Sequence, residues 1–191
     1  MRRIAITSSA SASGKSTVGR AAAERLGLPY TELDALHHGP NWAEATAEEL
    51  RAKVEPLVAR DGWVIDGGYT AKIGRLVFDR ADTIVWLDLP MRVWLPRLIR
   101  RTYRRLRKDE ELWNGNKESI RGALLGWDAL IPFALRSHFR RRREYPVELA
   151  GLPVLRLRSQ AAVDDWLETL TPFLPPLHPA FRERACNRGE A

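Results

Sequence analysis

Ser9-Ala10-Ser11-Ala12-Ser13-Gly14-Lys15-Ser16-Thr17 follows the alternating, β-favouring run Arg3-Ile4-Ala5-Ile6-Thr7 and leads into apolar positions at helical spacing as far as Leu26. A strand, a loop of small residues and a helix that opens on Gly-Lys-Ser-Thr make a phosphate-binding loop. Backbone N–H groups and the positive end of the helix dipole face a polyphosphate there, and small side chains let the backbone approach it. Lys15 supplies a point charge for the β- and γ-phosphates of a nucleoside triphosphate, and the Ser16 hydroxyl suits a Mg²⁺ ion. Ser9 through Thr17 are therefore the expected nucleotide-binding residues.

The loop departs from the usual glycine pattern at two positions. Ser9 occupies the first glycine position, and Ala12 lies where many related loops carry another glycine. Neither residue favours positive φ, so either the backbone is shifted or these positions take ordinary dihedrals.

Working outward, Gly27 is a natural C-cap for a helix over 15–26, and Pro29 stops it. Tyr30-Thr31-Glu32-Leu33-Asp34 reads as a second strand ending in a carboxylate. The turn-rich His37-His38-Gly39-Pro40-Asn41-Trp42 precedes a helix over 44–59. Trp63-Val64-Ile65-Asp66-Gly67-Gly68-Tyr69 is a third strand, apolar until it meets an acid and two glycines. An acid at that position can hold Mg²⁺ directly or through water. A short helix over 71–79, a strand over 82–90, a helix over 91–107 and further helix over 118–127 and 132–143 follow, then a strand over 153–158 and a helix over 160–170 capped by Ser159. Repeated strand-helix alternation gives a parallel α/β sheet, whose ligands sit beyond the C-terminal strand ends. Asp34, Asp66 and the loop would share that edge, with Trp42, Gly67 and Gly68 beside them as acceptor-binding candidates; Asp88 reads as a turn or cap.

With 191 residues and 45% hydrophobic content, the chain suits one domain with a sizeable core. No apolar run approaches the roughly 20 residues of a membrane span and no secretory segment precedes the first strand, so a cytoplasmic location is expected. The single cysteine, Cys186, excludes an intrachain disulfide, and the four histidines lack metal-ligand spacing. The net charge of +7 is local: residues 92–143 hold fifteen Arg or Lys against five Asp or Glu, which leaves the remainder at −3. Arg97, Arg101, Arg104 and Arg105 form one ridge at i, i+4, i+7, i+8, and like charges at that spacing repel unless an anion offsets them. The polar Lys108-Asp109-Glu110-Glu111-Leu112-Trp113-Asn114-Gly115-Asn116-Lys117 reads as a lid between two arginine-bearing helices.

Four stretches, Ser-Gly-Lys-Ser-Thr, Glu-Leu-Asp at 32–34, Val-Ile-Asp-Gly-Gly-Tyr at 64–69 and Trp-Leu-Asp-Leu-Pro at 86–90, resemble the adenylate-kinase-like P-loop kinases, and within them the topology modulation proteins. The resemblance covers residues 1–170. It implies a three-layer α/β fold with a five-stranded parallel sheet of order 2-3-1-4-5 and an arginine-rich lid at about 104–143. From residue 171 the chain is rich in proline and then polar without periodicity, so 171–191 is expected to be a flexible tail. It places the lid arginines at Arg97 and Arg101, with further ones at Arg136 and Arg140. Asp-Gly-Gly-Tyr replaces the Asp-Gly-Phe-Pro-Arg of nucleoside monophosphate kinases and so lacks their Pro-Arg phosphate clamp.

The expected activity is ATP- and Mg²⁺-dependent phosphoryl transfer to a small-molecule acceptor. Lys15 and the lid arginines would stabilise the transferring group, Ser16 and Asp66 would hold the metal, and Asp34 would position or deprotonate the acceptor. Two alternatives stay open. One is a nucleotide-regulated nucleic-acid-binding protein, suggested by the basic segment but carrying no recognisable nucleic-acid module; the other is a P-loop NTPase without a phosphoryl acceptor.

Overall fold

A computed structural model describes residues 1–108, 111–116 and 129–171. Five strands, β1 (Arg3–Ser8), β2 (Tyr30–Glu32), β3 (Trp63–Asp66), β4 (Thr83–Leu87) and β5 (Val154–Leu157), form one sheet of order β2-β3-β1-β4-β5. All four pairings are parallel.

Both faces of the sheet are buried, as parallel sheets require. Along β1 and β3 the side chains alternate between two cores. Ala5 and Ile65 join Trp63, Ile84 and Trp86 on one face, whereas Ile4, Ile6 and Val64 join Val85 and Leu87 on the other. Helices α1 (Lys15–Leu26) and α7 (Gln160–Thr169) cover the second face through Val18, Ala22, Val163 and Trp166. The first face is covered by α3 (Ala47–Val58) through Leu50, Val54 and Val58, and by Tyr145 of α6 (Leu130–Glu148). A third cluster seats the phosphate loop itself. There Ala10 packs on Trp94 and Leu98 of α5 (Met91–Lys108) and on Ala134 of α6.

The element ends follow local chemistry. Gly27 closes α1 in the left-handed region at φ 66°, with N–H groups returned to Ala23 and Glu24. Ser159 caps α7 by accepting from the Ala162 N–H. The helix expected over 44–59 starts at Ala47, because Thr46 and Glu49 form a reciprocal capping box. Strand β2 ends at Glu32, so Asp34 lies in the first turn of a short helix α2 (Leu33–His37) rather than at a strand end. The expected 71–79 helix is two pieces, α4 (Thr70–Ile73) and a 3₁₀ turn (Phe78–Arg80), because Gly74 sits at φ 61° and breaks the ladder. The helix expected over 132–143 runs on to Glu148, through Pro146. The expected helix over 118–127 and all but the first residue of the expected tail fall outside the described residues. No described helix is long and apolar enough to cross a membrane.

Candidate functional site

The loop between β1 and α1 is braced from within. Ser8 and Ser13 hydroxyls both donate to the Ala10 carbonyl at 2.8 Å. Gly14 is the N-cap of α1 at φ 88°, and the space beside its Cα is open, so only its dihedral excludes a side chain. Ala12 also takes the left-handed conformation, at φ 57°, whereas Ser9 does not. The two departures from the motif thus resolve differently: Ala12 keeps a glycine-like backbone and bears its strain, of about 1–2 kcal/mol, while Ser9 has no such need.

Ser9 uses its side chain instead. It is 1% exposed, donates from Oγ to Asp88 at 2.8 Å, accepts from Trp86 Nε1 at 2.9 Å, and donates its N–H to Leu87. Its polar groups therefore anchor the loop to the end of β4.

At the other end of the loop, carboxylates converge. Glu32 and Asp66 are register partners at the C-terminal ends of β2 and β3. The Ser16 hydroxyl lies 2.7 Å from Glu32 Oε1 and 2.8 Å from Asp66 Oδ2. One hydroxyl has one proton, so it cannot serve both carboxylates at once. A hydroxyl and two carboxylate oxygens this close form a hard-oxygen set that fits Mg²⁺, which needs few protein ligands and keeps several waters. Among the described residues, no group of three or more His, Cys, Asp and Glu could hold a metal. Tyr30 donates to Asp66 at 3.3 Å, and Arg20 reaches Glu32 at 3.3 Å. Burial, followed by the charges of Asp66 and Glu32, raises the Tyr30 pKa and keeps that phenol protonated.

Lys15 Nζ lies 3.2 Å from Asp66 Oδ1, and its side chain is 22% exposed. Burial alone would lower its pKa, but Asp66 and then Asp34 outweigh it, and the amine is held above the ordinary lysine value. Asp34 thus acts electrostatically on the same lysine. Its own Oδ1 accepts from Tyr69 at 2.5 Å, and burial together with Asp34 pushes the Tyr69 pKa up. Tyr69 itself sits at φ 48°, a strained position for an aromatic residue.

Gly67 and Gly68 follow Asp66 at this edge, and both have packing reasons to be glycine. A Cβ on Gly67, at φ 107°, would come 3.3 Å from Leu33, and one on Gly68 would come 2.5 Å from the buried Phe78 ring. Beyond Tyr69 an aromatic wall continues through His37, His38 and Trp42, with ring centroids 4.6–5.4 Å apart, and Trp113 stacks on His38 at 5.9 Å. Trp42 is 40% exposed and has φ 59°. The buried Asn116 clasps this turn to the segment around Trp113. It accepts from the Trp42 N–H at 2.8 Å and donates to Gly39 at 2.9 Å and Trp113 at 2.8 Å.

The arginines separate. Arg97 donates to Gln160 at 2.9 Å, and Arg140 meets Glu144 at 3.5 Å with both side chains exposed. Arg101 and Arg136 are half-buried on α5 and α6. Arg141 reaches the start of the phosphate loop: it donates to the Ser8 carbonyl at 3.3 Å and acts electrostatically on both Lys15 and Tyr69. Glu32, Tyr69, Arg141, Asp88 and Asn116 were not among the expected site residues. Of these, Glu32, Tyr69 and Asp88 lie within the quoted Glu-Leu-Asp, Val-Ile-Asp-Gly-Gly-Tyr and Trp-Leu-Asp-Leu-Pro stretches, whereas nothing local marks Arg141 or Asn116.

No protein-family model matches the chain, and no curated protein sequence matches it significantly. Solved structures do. Shikimate kinase from Acinetobacter baumannii in complex with shikimate superposes with a TM-score of 0.56 at 17% identity, over 100% of this chain and 96% of that one. Shikimate kinase from Bacteroides thetaiotaomicron gives 0.55 at 18% identity, over 88% and 96%. The enzyme from Aquifex aeolicus gives 0.50 at 16% identity, over 98% and 99%. The five-stranded parallel sheet of order β2-β3-β1-β4-β5, with helices on both faces, is therefore the fold of these shikimate kinases.

Proposed function

We propose that this chain is an ATP- and Mg²⁺-dependent kinase that transfers the γ-phosphoryl group to a small acceptor such as a nucleotide, nucleoside or hydroxylated metabolite. The observation that carries this reading is the cluster in which Ser16, Glu32 and Asp66 converge beside Lys15, with Asp34 acting electrostatically on the same lysine. The kinase fold supports it.

In this reading the N–H groups around Ser11 to Thr17 cradle the polyphosphate, and Lys15 balances the charge on the group in transfer. Ser16, Asp66 and Glu32 would hold Mg²⁺, which supplies charge neutralisation on the phosphates when bound. Asp34, oriented by Tyr69, receives the proton as the acceptor oxygen forms its bond to the γ-phosphorus and the bond to the β–γ bridging oxygen breaks. Trp42, Gly67 and Gly68 border the acceptor. Arg141 would face the anion, and Arg97, Arg101, Arg136 and Arg140 would join it on lid closure, which excludes water. Residues 1–170 act as one domain, and the short motifs quoted above support a place among the topology modulation proteins.

A screen of ATP consumption over nucleosides, nucleoside monophosphates, sugar acids and other hydroxylated metabolites tests the proposal. One acceptor should raise ADP release at least tenfold, and Lys15→Ala should abolish the rise. Hydrolysis that no acceptor stimulates would instead leave an NTPase.

A second reading, nucleic-acid binding, has one observation in its favour. Helix α5 carries eight basic residues and no acid, and Ile99 and Tyr103 on it are 51% and 56% exposed. Steeply salt-dependent binding of single-stranded DNA that survives saturating ATP would support it.

A further inference from the structure

Asp88 follows β4, and its side chain is 0% exposed. A buried carboxylate needs partners on both oxygens, or it costs several kcal/mol. Here Oδ1 accepts from Ser9 Oγ at 2.8 Å and lies 3.0 Å from Arg142 Nε, while Oδ2 takes Arg156 Nε at 3.0 Å and Nη2 at 2.7 Å. The circuit closes through Trp86. Its indole donates to Ser9 at 2.9 Å, and its ring lies 4.0 Å beneath the Arg156 guanidinium. The phosphate loop, β5 and α6 thus meet on one carboxylate.

Helix α6 also grips the end of β1 residue by residue. The Tyr145 hydroxyl is 2.9 Å from Thr7 Oγ1, Arg141 donates to the Ser8 carbonyl at 3.3 Å, and Arg142 reaches Ser9 through Asp88. Arg141 and Arg142 are consecutive on the helix. Fixing Arg142 therefore fixes the height and rotation of the turn that presents Arg141, the cation acting on both Lys15 and Tyr69.

We propose that Asp88 is a positioning residue: by holding Ser9 and Arg142 together it locks the phosphate loop to α6 and keeps Arg141 at the site. The serine that replaces the first loop glycine is the loop's half of this lock. The kinetic part of the inference rests on the phosphoryl-transfer reading; the mechanical part rests on the contacts alone.

Asp88→Asn removes the charge and keeps the shape. Arg142 and Arg156 are 43% and 28% exposed, so both retain access to water in that variant and it should fold. Two measurements on the full chain test the lock. In the first, kcat and the KM for ATP are compared for Asp88→Asn, Arg141→Met and the double variant. Asp88→Asn should lower kcat/KM by about 10- to 100-fold, and in the Arg141→Met background it should add less than about threefold. Independent, multiplicative losses would overturn the proposal, because a purely structural carboxylate would not act through Arg141. In the second, hydrogen exchange is followed without nucleotide. Asp88→Asn should speed exchange of amides in residues 8–13 and 137–145 while Ile4–Ile6 and Val64–Ile65 keep their protection. No change, or a uniform rise, would overturn it. If wild type neither binds nor consumes ATP, the phosphoryl-transfer reading fails, and the exchange measurement alone decides the lock. Should Asp88→Asn not fold, Ser9→Ala and Arg142→Met, each removing one partner of the carboxylate, must give the same exchange pattern.

Discussion

Replacing Lys15 with Met keeps most of the side-chain stem and removes the ammonium that sits 3.2 Å from Asp66. At an effective dielectric of about 20, two unit charges at that distance attract by about 5 kcal/mol. Desolvation of both groups offsets part of this, and breaking a buried pair costs about 3–5 kcal/mol in practice because a charge is left behind. Asp66 is 1% exposed and keeps Ser16 and Tyr30 as partners, while Lys15 retains some water at 22% exposure. The lower end, about 3 kcal/mol, is therefore expected, which is a Tm lower by roughly 6–12 °C for a chain of this size. The pH dependence has a definite sign. Lys15 has a folded pKa raised above its ordinary 10.5, so its contribution is fully present below that ordinary value and is lost as pH rises through the higher folded one. Urea denaturation followed by tryptophan fluorescence at pH 7, 9 and 11 should show a constant difference between wild type and Lys15→Met at the first two values and a smaller one at the third. Equal stability at pH 7, or a difference that grows above pH 10.5, would refute the pairing.

Three further outcomes follow from the loop, the clasp and the histidines. Gly14→Ala should destabilise by about 1–2 kcal/mol through its dihedral alone, whereas Ala12→Gly, two residues away, should be neutral or stabilising by up to about 1 kcal/mol; denaturant midpoints check both signs. Asn116→Ala should release the contact between the Trp42 turn and the Trp113 segment, seen as faster hydrogen exchange at the Trp42 amide with β1 unaffected. Burial first, aided by Lys72 and His38, lowers the His37 pKa, and burial with Arg142 lowers that of His138. Folding thus favours the neutral form of both, so stability present above about pH 6.5 should fall as pH drops through their lower folded values. Replacing both with glutamine should flatten that acid limb of the stability curve.

What was legible in the sequence was what is local or periodic. The phosphate loop, α1 and its Gly27 cap lie within one short stretch, and β1, β3 and β4 are apolar runs with few alternative fates. The sheet order followed from the family resemblance and is the order observed. The conformations of Ser9 and Ala12 could not be read, because each depends on what its side chain meets. Ser9 finds Asp88, 79 residues on, whereas Ala12 packs beside Ala10 and Trp94. Glu32 became part of the site only through the register of β2 on β3, a non-local fact. Arg141 could not be singled out of Arg140-Arg141-Arg142-Arg143, since rotation of α6 against β1 decides which arginine faces the loop. Asp88 looked like a turn residue because its cationic partners lie on β5 and α6, far along the chain.

The central claim is that Asp34 and the phosphate loop are two halves of one transfer site. The most direct measurement compares MgATP affinity by calorimetry with acceptor-dependent ADP release for wild type and Asp34→Asn. The account predicts MgATP affinity within about threefold of wild type and phosphoryl transfer reduced by at least about 100-fold. Transfer at the wild-type rate would contradict it.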